Sequence, residues 1–289
     1  MERHNFTLSI ILPARNEAES LSLILPQLRN QYPTAEIIVV NDGSIDQTVE
    51  VCSQYSVKVI THPYPKGNGA AIKSGVRAAN GEVFVFMDAD GQHKVDDIEP
   101  LLSKYHEGYD MVVGARQAGS QAGLHRAMAN DVFSRFASWM VNQRVEDLTS
   151  GFRIVEAKKF KKFIYLLPNG FSYPTTITMG FFRAGFSVAY VSVHTPMRSG
   201  GRSHIQPLRD GVRFVLIILK IGTLYSPLKL FLPTSLVFFL IGISYYAYTF
   251  FMFNRFTNMS ALLLTTSVLV FLIGLISEQI TMLNYKDSD

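Results

Sequence analysis

The stretch VFVFMDADGQH, residues 83–93, places five apolar residues ahead of two carboxylates that are one residue apart. An unbroken apolar run of this length is typical of a strand that is buried on both faces of a sheet. In extended chain Asp88 and Asp90 point to the same side, the spacing that suits oxygen ligands of one hard divalent cation. The stretch predicts a buried strand that ends in a metal site; a solvated turn or helix cap is the simpler alternative.

Short β-branched runs alternate with helical patterns through the first 115 residues. The predicted strands are 8–12, 36–40, 57–60, 83–87 and 111–113, and the predicted helices are 19–30, 46–53, 69–79 and 96–107. This alternation predicts a largely parallel, Rossmann-like α/β sheet covered by helices on both faces. Less regular patterns follow: a helix around Trp139, the segment DLTSGFRI, helices near 156–167 and 174–184, and a strand at 186–193. We interpret them as part of the same domain, on the side that would bind a second substrate, the acceptor.

Polar clusters follow three of the predicted strands: PARNE (13–17), NDGS (41–44) and DADGQ (88–92). Ligands of open α/β sheets bind at the carboxyl ends of the strands, so we expect the clusters to meet at one edge. Asp42 is a candidate acceptor of hydrogen bonds from a nucleobase or ribose; a plain Asx turn with a helix cap is the alternative.

The segment KGNGAA (66–71) puts two glycines and a lysine just before a helix, an arrangement suited to backbone approach to an anion. It matches neither GxGxxG nor GxxxxGK[ST], which argues against dinucleotide dehydrogenases and P-loop NTPases. Among the histidines, His93 adjoins the carboxylate pair, whereas His62 and His106 are expected at the surface.

Composition separates a normally charged front part from an apolar tail. Hydrophobic residues make up 48% of the chain and the mean hydropathy is +0.16, which is high for a soluble enzyme. The last 59 residues hold only five of the 50 charges, so the net charge of +4 splits into +5 for the front part and −1 for the tail. A charge of +5 is too mild for a nucleic-acid binder but favours phosphates or lipid headgroups. The single cysteine, Cys52, excludes an intrachain disulfide.

Two runs without any charge, 231–253 and 256–277, are each long enough to cross a bilayer core of roughly 30 Å. The two residues that link them predict a transmembrane hairpin. Before them, residues 208–220 mix basic and apolar residues, as in an amphipathic helix at the membrane interface. Helices buried in a soluble core are the alternative for both features. The predicted domains are 1–206 (catalytic), 207–230 (juxtamembrane helix and linker) and 231–285 (two transmembrane helices).

The order PARNE, NDGSIDQT, KGNGAAI, DADGQH resembles family 2 glycosyltransferases of the GT-A fold, closely over residues 7–115. The later segments GAR (114–116), LTSGFR (148–153) and RSGGRS (198–203) resemble the polyprenyl-phosphate branch, which includes dolichol-phosphate mannose synthase and bacterial undecaprenyl-phosphate sugar transferases. Members of that branch with a C-terminal membrane hairpin are familiar. The sequence departs from the commoner DADLQ pattern at Gly91 and has KGNG in place of GKG.

This resemblance implies a set of site residues. Those for the nucleotide are Pro13, Ala14, Arg15, Glu17 and Asp42; those for the metal (Mg²⁺ or Mn²⁺) and the donor sugar are Asp88, Asp90 and Gln92 of the DXD motif, with Ala89 between them; those for the acceptor phosphate and donor diphosphate are Arg116, Arg126, Arg198, Arg202 and Ser203. Asp88, Asp90, Arg116 and Arg126 are the implied catalytic residues.

The implied function is transfer of a hexose from a UDP- or GDP-sugar to a polyprenyl phosphate, with inversion. The first apolar run is preceded by Arg209, Arg213, Lys220 and Lys229, whereas the link between the two runs holds Arg255 alone. By the positive-inside rule, this places the catalytic domain in the cytoplasm, here at a bacterial or archaeal plasma membrane. A glycolipid or polysaccharide acceptor is one alternative, although the QxxRW signature of processive enzymes does not occur. A nonenzymatic nucleotide-sugar-binding scaffold is the other. Homo-oligomer formation stays open.

Overall fold

A computed structural model describes residues 6–116, 124–170, 173–193, 219–220, 222–224 and 226–285 of the chain. For residues 124–131, 133 and 284–285 it describes the backbone alone. The chain divides into two compact units, residues 1–139 with 143–203 and residues 140–142 with 204–289. Each unit is described by itself.

The first unit alternates strands and helices. Its strands are β1 (Leu8–Ala14), β2 (Glu36–Asn41), β3 (Lys58–Thr61), β4 (Val83–Phe86), β5 (Met111–Arg116), β6 (Arg153–Glu156) and β7 (Val188–Val193). Its helices are α1 (Ala18–Gln31), α2 (Thr48–Ser53), α3 (Asn68–Ala78), α4 (Ile98–His106), α5 (Leu124–Val141), α6 (Ala157–Lys162) and α7 (Tyr173–Arg183), with a 3₁₀ turn at Val95–Asp97 before α4. The five strands predicted in the first 115 residues are all present.

The seven strands form one sheet in the order β3-β2-β1-β4-β6-β5-β7. Every neighbouring pair is parallel except those of β6, which runs antiparallel to both β4 and β5. The sheet is therefore mixed and flanked by helices, as the GT-A resemblance implied. The strand β6 was not among the predicted elements, because only two apolar residues, Ile154 and Val155, stand between the charged Arg153 and Glu156.

The central strands are buried on both faces, which explains their unbroken apolar sequences. Ile10 and Ile11 of β1 and Phe84 and Val85 of β4 all have 0% exposure. Helix α1 covers one face with an apolar stripe at Leu21, Ile24, Leu25 and Leu28, the spacing of a helix that buries one side. This packing fixes the strand ends, and thus the site, on a rigid layer.

The second unit contains two long apolar helices, α8 (Pro227–Phe253) and α9 (Asn258–Tyr285). Their most apolar windows have mean hydropathies of 1.8 and 2.4, and only 11% and 17% of those windows is buried. A helix in the core of a soluble protein would be mostly buried, so the exposed apolar surface is consistent with membrane association.

The contact between α8 and α9 is built from small side chains seven residues apart. They are Ser235, Gly242 and Thr249 on α8 and Ser260, Ser267, Gly274 and Thr281 on α9. Ser235 Oγ donates to Ser267 O at 2.9 Å, and a Cβ on Gly274 would lie 2.6 Å from Phe231 Cβ. Small residues let two helix backbones approach closely, which matters for helices in lipid because the hydrophobic effect does not drive them together there.

The helices differ from the two predicted spans in their limits. Helix α8 begins four residues earlier and includes Lys229, helix α9 continues to Tyr285 and includes Glu278, and four residues rather than two separate them. Glu278 Oε2 accepts a hydrogen bond from Leu228 N in the first turn of α8 at 3.2 Å, where a helix leaves donors unsatisfied. Of the amphipathic helix predicted at 208–220, only residues 219–220 are described, so that helix and the domain limits remain predictions.

Gly114→Ala should destabilise the first unit, because the new methyl group would lie 2.5 Å from Cδ1 of the buried Phe152 ring. Overpacking of this kind costs about 1–3 kcal/mol, which corresponds to a fall in Tm of roughly 2–10 °C for a domain of this size. Thermal unfolding followed by circular dichroism measures it. Gly170→Ala is the control, since nothing lies within 4 Å of its added carbon. Equal Tm values for the two variants would contradict the packing argument.

Candidate active site

The carboxyl ends of β1, β2 and β4 lie side by side, because these strands are neighbours and parallel. The clusters PARNE, NDGS and DADGQ therefore meet at one edge of the sheet, as predicted.

Hydrogen bonds connect PARNE with NDGS and the residues that follow each of them. Asn16, which adopts a left-handed φ of 56°, receives the Ile45 N–H on its side-chain oxygen at 2.9 Å and donates its own N–H to Ser44 Oγ at 2.9 Å. Two further bonds run from Glu17 N to Thr48 Oγ1 and from Ala18 N to Asp46 Oδ2. Of the nucleotide candidates in this cluster, Ala14 is buried, Pro13 and Glu17 are half-buried, and Arg15 is exposed.

The Asp42 carboxylate is largely used inside the protein. It is 6% exposed and accepts hydrogen bonds from Lys66 N and His62 Nδ1 on one oxygen and from Gly67 N on the other, at 2.7–2.8 Å. Burial alone would raise the pKa of Asp42, but these hydrogen bonds outweigh it and lower the pKa. The prediction of a surface His62 was wrong, because this histidine is 5% exposed and pairs with Asp42, whereas His106 is exposed as predicted.

The glycines of KGNGAA serve a different purpose from the predicted anion contact. The N–H groups of Gly69 and Ala70, in the first turn of α3, donate to the carbonyls of Gly170 and Asn169. A Cβ on Gly69 would lie only 2.0 Å from Pro168 O. Because Gly69 has no side chain, residues 168–170 can pack directly against it. The N–H groups of Gly69 and Ala70 are used in this contact and are not available to a phosphate.

Asp88 and Asp90 lie together at the end of β4. Asp88 is half-buried and densely surrounded by protein, and this burial, with the charge of Asp90, raises the pKa of Asp88 to about 6. The Asn68 side chain, at the start of α3, forms a hydrogen bond with Asp88 and opposes the shift. Asp90 Oδ1 accepts the Gln92 N–H at 3.1 Å, and the Gln92 side chain is half-buried.

A cavity of about 140 Å³ adjoins Asp88. Its lining residues are Asn68, Asp88, Thr149, Gly151, Gly170, Tyr173, Pro174 and Thr175. A Cβ on Gly151 would lie 2.8 Å from Asp88 Oδ2, so a side chain at this position would displace the carboxylate. The lining combines apolar surface with a few polar groups, among them Asn68, Asp88 and Thr149, as ligand sites commonly do.

Arg116 is held by a residue outside the predicted set. Its Nε and Nη2 atoms donate to Oδ2 and Oδ1 of Asp147 at 2.8 and 2.9 Å, and Nη2 also contacts Thr149 Oγ1. Burial would raise the pKa of Asp147, but the hydrogen bonds and charge of Arg116 outweigh it and lower the pKa. A bidentate pair fixes the guanidinium plane beside the cavity, so Asp147 orients Arg116.

Arg153, also missed, is fully buried beneath the cavity. It donates to Ser150 O, Pro174 O and Thr178 Oγ1, which joins the loop before β6 to the first two turns of α7. The only sequence signal was its place at the end of LTSGFR.

His93 is 7% exposed and stacks on Phe152 with ring centroids 4.6 Å apart. Burial lowers its pKa, so the ring is neutral at pH 7. The backbone of Arg126 lies in α5, but its side chain is outside the described residues, as are Arg198, Arg202 and Ser203 entirely.

Two family models match the chain. The model for glycosyl transferase family 2 matches residues 9–182, and the model for the GtrB C-terminal hairpin matches residues 226–283. The chain therefore belongs to glycosyl transferase family 2 and is a glycosyltransferase with a GtrB-like hairpin.

Named relatives agree with this. The dolichol-phosphate mannosyltransferase of Pyrococcus furiosus is 40% identical over 37% of this chain and 32% of its own length. The dolichyl-phosphate hexose transferase of Haloferax volcanii is 27% identical over 74% of this chain and 93% of its own length. Glucosyl-3-phosphoglycerate synthase of Mycobacterium tuberculosis, solved with Mn²⁺, UDP and glucosyl-3-phosphoglycerate, shares the fold with a TM-score of 0.58 and 19% identity over 75% of this chain and 78% of that chain.

Asp88→Asn should raise the stability of the metal-free protein at pH 7.5. Because the folded-state pKa of Asp88 lies above its ordinary value of 3.8, its ionisation costs folding free energy, fully above pH 6 and not at all below about pH 4. The expected gain at pH 7.5 is about 1–3 kcal/mol, and it should shrink as the pH falls from 6 to 4. Urea unfolding in EDTA at several pH values measures it. A gain that does not depend on pH would show that ionisation of Asp88 is not its cause.

Proposed function

We propose that this glycosyltransferase transfers a hexose from a UDP- or GDP-sugar to a polyprenyl phosphate at the cytoplasmic face of a membrane. The observation that carries the proposal is the carboxylate pair Asp88 and Asp90 at the end of β4, with a cavity next to Asp88, in a family 2 domain followed by an apolar hairpin. Two relatives are named for dolichol-phosphate or dolichyl-phosphate transfer, and a fold neighbour was solved with UDP, which supports both substrate classes.

The donor would lie across the sheet edge. We propose that Pro13, Ala14, Arg15 and Glu17 bind the nucleotide, with Asp42 close by, and that Ala89 and Gln92 contact the donor next to the carboxylates. The cavity beside Asp88 would take the hexosyl group. Arg116, Arg126, Arg198, Arg202 and Ser203 are proposed for the phosphates of donor and acceptor; among them, Arg116 is held in a fixed orientation by its bidentate pair with Asp147.

Asp88 and Asp90 fit a divalent cation of the Mg²⁺ or Mn²⁺ type. Both offer hard oxygen atoms, and the pKa of Asp88 is raised first by burial and then by the charge of Asp90, both of which a bound cation would offset. Among the described residues no cluster of three or more acidic, histidine or cysteine side chains could hold a metal. Two carboxylates suit an ion that is otherwise held by substrate phosphates. When bound, the cation would neutralise charge on the diphosphate leaving group.

The reaction would proceed by attack of an acceptor phosphate oxygen on the anomeric carbon, while the bond from that carbon to the nucleoside diphosphate breaks, with inversion. A phosphate monoester is mostly ionised at neutral pH, so the chain need not supply a strong base. The neutral, stacked His93 is consistent with this. Positioning of the two phosphate groups by fixed cationic side chains would provide most of the rate.

The substrates can be identified by incubating membranes that contain the protein with a panel of labelled nucleotide-sugars and one polyprenyl phosphate. One donor should give a single acid-labile labelled lipid. Asp90→Ala should lower the rate by at least about 10²-fold without unfolding the protein, because the residue lies in a strand-end loop. Activity within threefold of wild type, or full activity in EDTA, would contradict the metal assignment. An acid-stable labelled glycolipid would indicate the alternative acceptor class.

Removal of the hairpin should separate membrane delivery from chemistry. A chain that ends at Ser226 should still bind the nucleotide-sugar and use a short, water-soluble isoprenyl phosphate, but it should lose efficient transfer to a long-chain acceptor in vesicles. The reason is effective concentration, since an anchored enzyme meets a bilayer-confined acceptor far more often. Initial rates on both acceptors test this. An equal loss on both would mean that the hairpin helps to build the catalytic site.

A further inference from the structure

A chain of buried hydrogen bonds leads from helix α3 to the end of β2. Ser74 Oγ lies 2.8 Å from His62 Nε2, and His62 Nδ1 lies 2.7 Å from Asp42 Oδ1. Because a carboxylate only accepts hydrogen bonds, Nδ1 carries the hydrogen, and in the neutral ring Nε2 accepts from the Ser74 hydroxyl. Both His62 nitrogens are thus used inside the protein, and the ring is 5% exposed, so it is not placed to act on a substrate.

Asp42 extends this chain to the turn that precedes α3. Its two oxygens receive the N–H groups of Lys66 and Gly67, each at 2.8 Å. Gly67 has a φ of 101°, which other residues rarely adopt. The two hydrogen bonds to Asp42 hold the turn in this conformation. A carboxylate oriented by His62 therefore sets the course of the backbone at Lys66 and Gly67.

The turn leads directly to the catalytic carboxylates. Asn68 is the first residue of α3, and its side chain forms a hydrogen bond with Asp88. Asn68 also lines the cavity next to Asp88. A displacement of the turn would carry Asn68 with it, because no residue separates Gly67 from Asn68.

We infer that His62 and Ser74 are positioning residues of the active site: they orient Asp42, which holds the Lys66–Gly67 turn and, through it, places Asn68 against Asp88. Asp42 then has a structural role at the sheet edge, whether or not it also contacts the nucleotide. The kinetic consequence rests on the proposed function, whereas the structural consequence does not.

Amide hydrogen exchange on the full-length protein tests the structural part. His62→Phe keeps a ring at the site but removes the donor to Asp42. We expect the Lys66 and Gly67 amides to exchange about tenfold faster in this variant. The Asn80 amide, which donates to the Glu36 carboxylate at 2.8 Å, is a matched internal control and should not change. Unchanged exchange at Lys66 and Gly67, or equal acceleration at Asn80, would overturn the inference.

Donor kinetics test the link to the active site. His62→Phe should raise the donor KM or lower kcat by about tenfold in a protein that remains folded, whereas His62→Asn, whose amide can replace Nδ1 as donor, should recover part of the loss. In the double variant His62→Phe with Asp42→Asn, kcat/KM should be at most about threefold lower than in the poorer single variant, because both substitutions act on the same turn. The exposed His106→Phe is the control.

The outcomes separate the two proposals. If His62→Phe accelerates exchange but leaves KM and kcat within twofold of wild type, or if its effect multiplies with that of Asp42→Asn, the positioning role is overturned. If wild-type protein transfers no hexose to polyprenyl phosphate, the proposed function fails, and the exchange measurement with nucleotide-sugar binding still decides the role of His62.

Discussion

Two carboxylates of like charge lie at the end of one strand, and neighbouring groups of the site stabilise their ionised forms. Asp90 and the surrounding protein both disfavour ionisation of Asp88, and burial is the larger cause. The hydrogen bond from Asn68 and the positive charges of Arg153 and Arg116 oppose that effect. Because the ionised form of Asp88 is disfavoured in this environment, a bound cation would stabilise it. Cation binding is thereby favoured without a full set of protein ligands.

Much of this arrangement could be predicted from the sequence, because it depends on local pattern. Buried strands display continuous apolar runs, and the polar clusters that follow them must meet if the strands are parallel neighbours. The roles of individual polar groups were harder to predict, since their partners lie far away in the chain. The first-turn amides of α3 pair with Asn169 and Gly170, about 100 residues later, and nothing in KGNGAA distinguishes this use of glycine from phosphate binding.

Charged partners posed the same difficulty. Asp147 and Arg116 are 31 residues apart and meet only because β5 and the loop before β6 come together. The hairpin contact, by contrast, has a signal that is visible in the sequence: small residues recur every seven positions in both apolar runs, and an antiparallel pair of helices brings the two series face to face. A search for this period, in addition to hydropathy, would have identified which faces of the two helices touch.

The antiparallel strand β6 has a consequence for synthesis of the chain. It separates β4 from β5 in the sheet, yet 66 residues lie between the end of β4 and its start. At about 5–20 residues per second, a ribosome needs roughly 3–13 seconds to supply them. During that interval the apolar β4 has a neighbour on the β1 side only, and its other edge can pair with any extended segment nearby. An interruption of translation within this stretch would prolong the exposure of that edge.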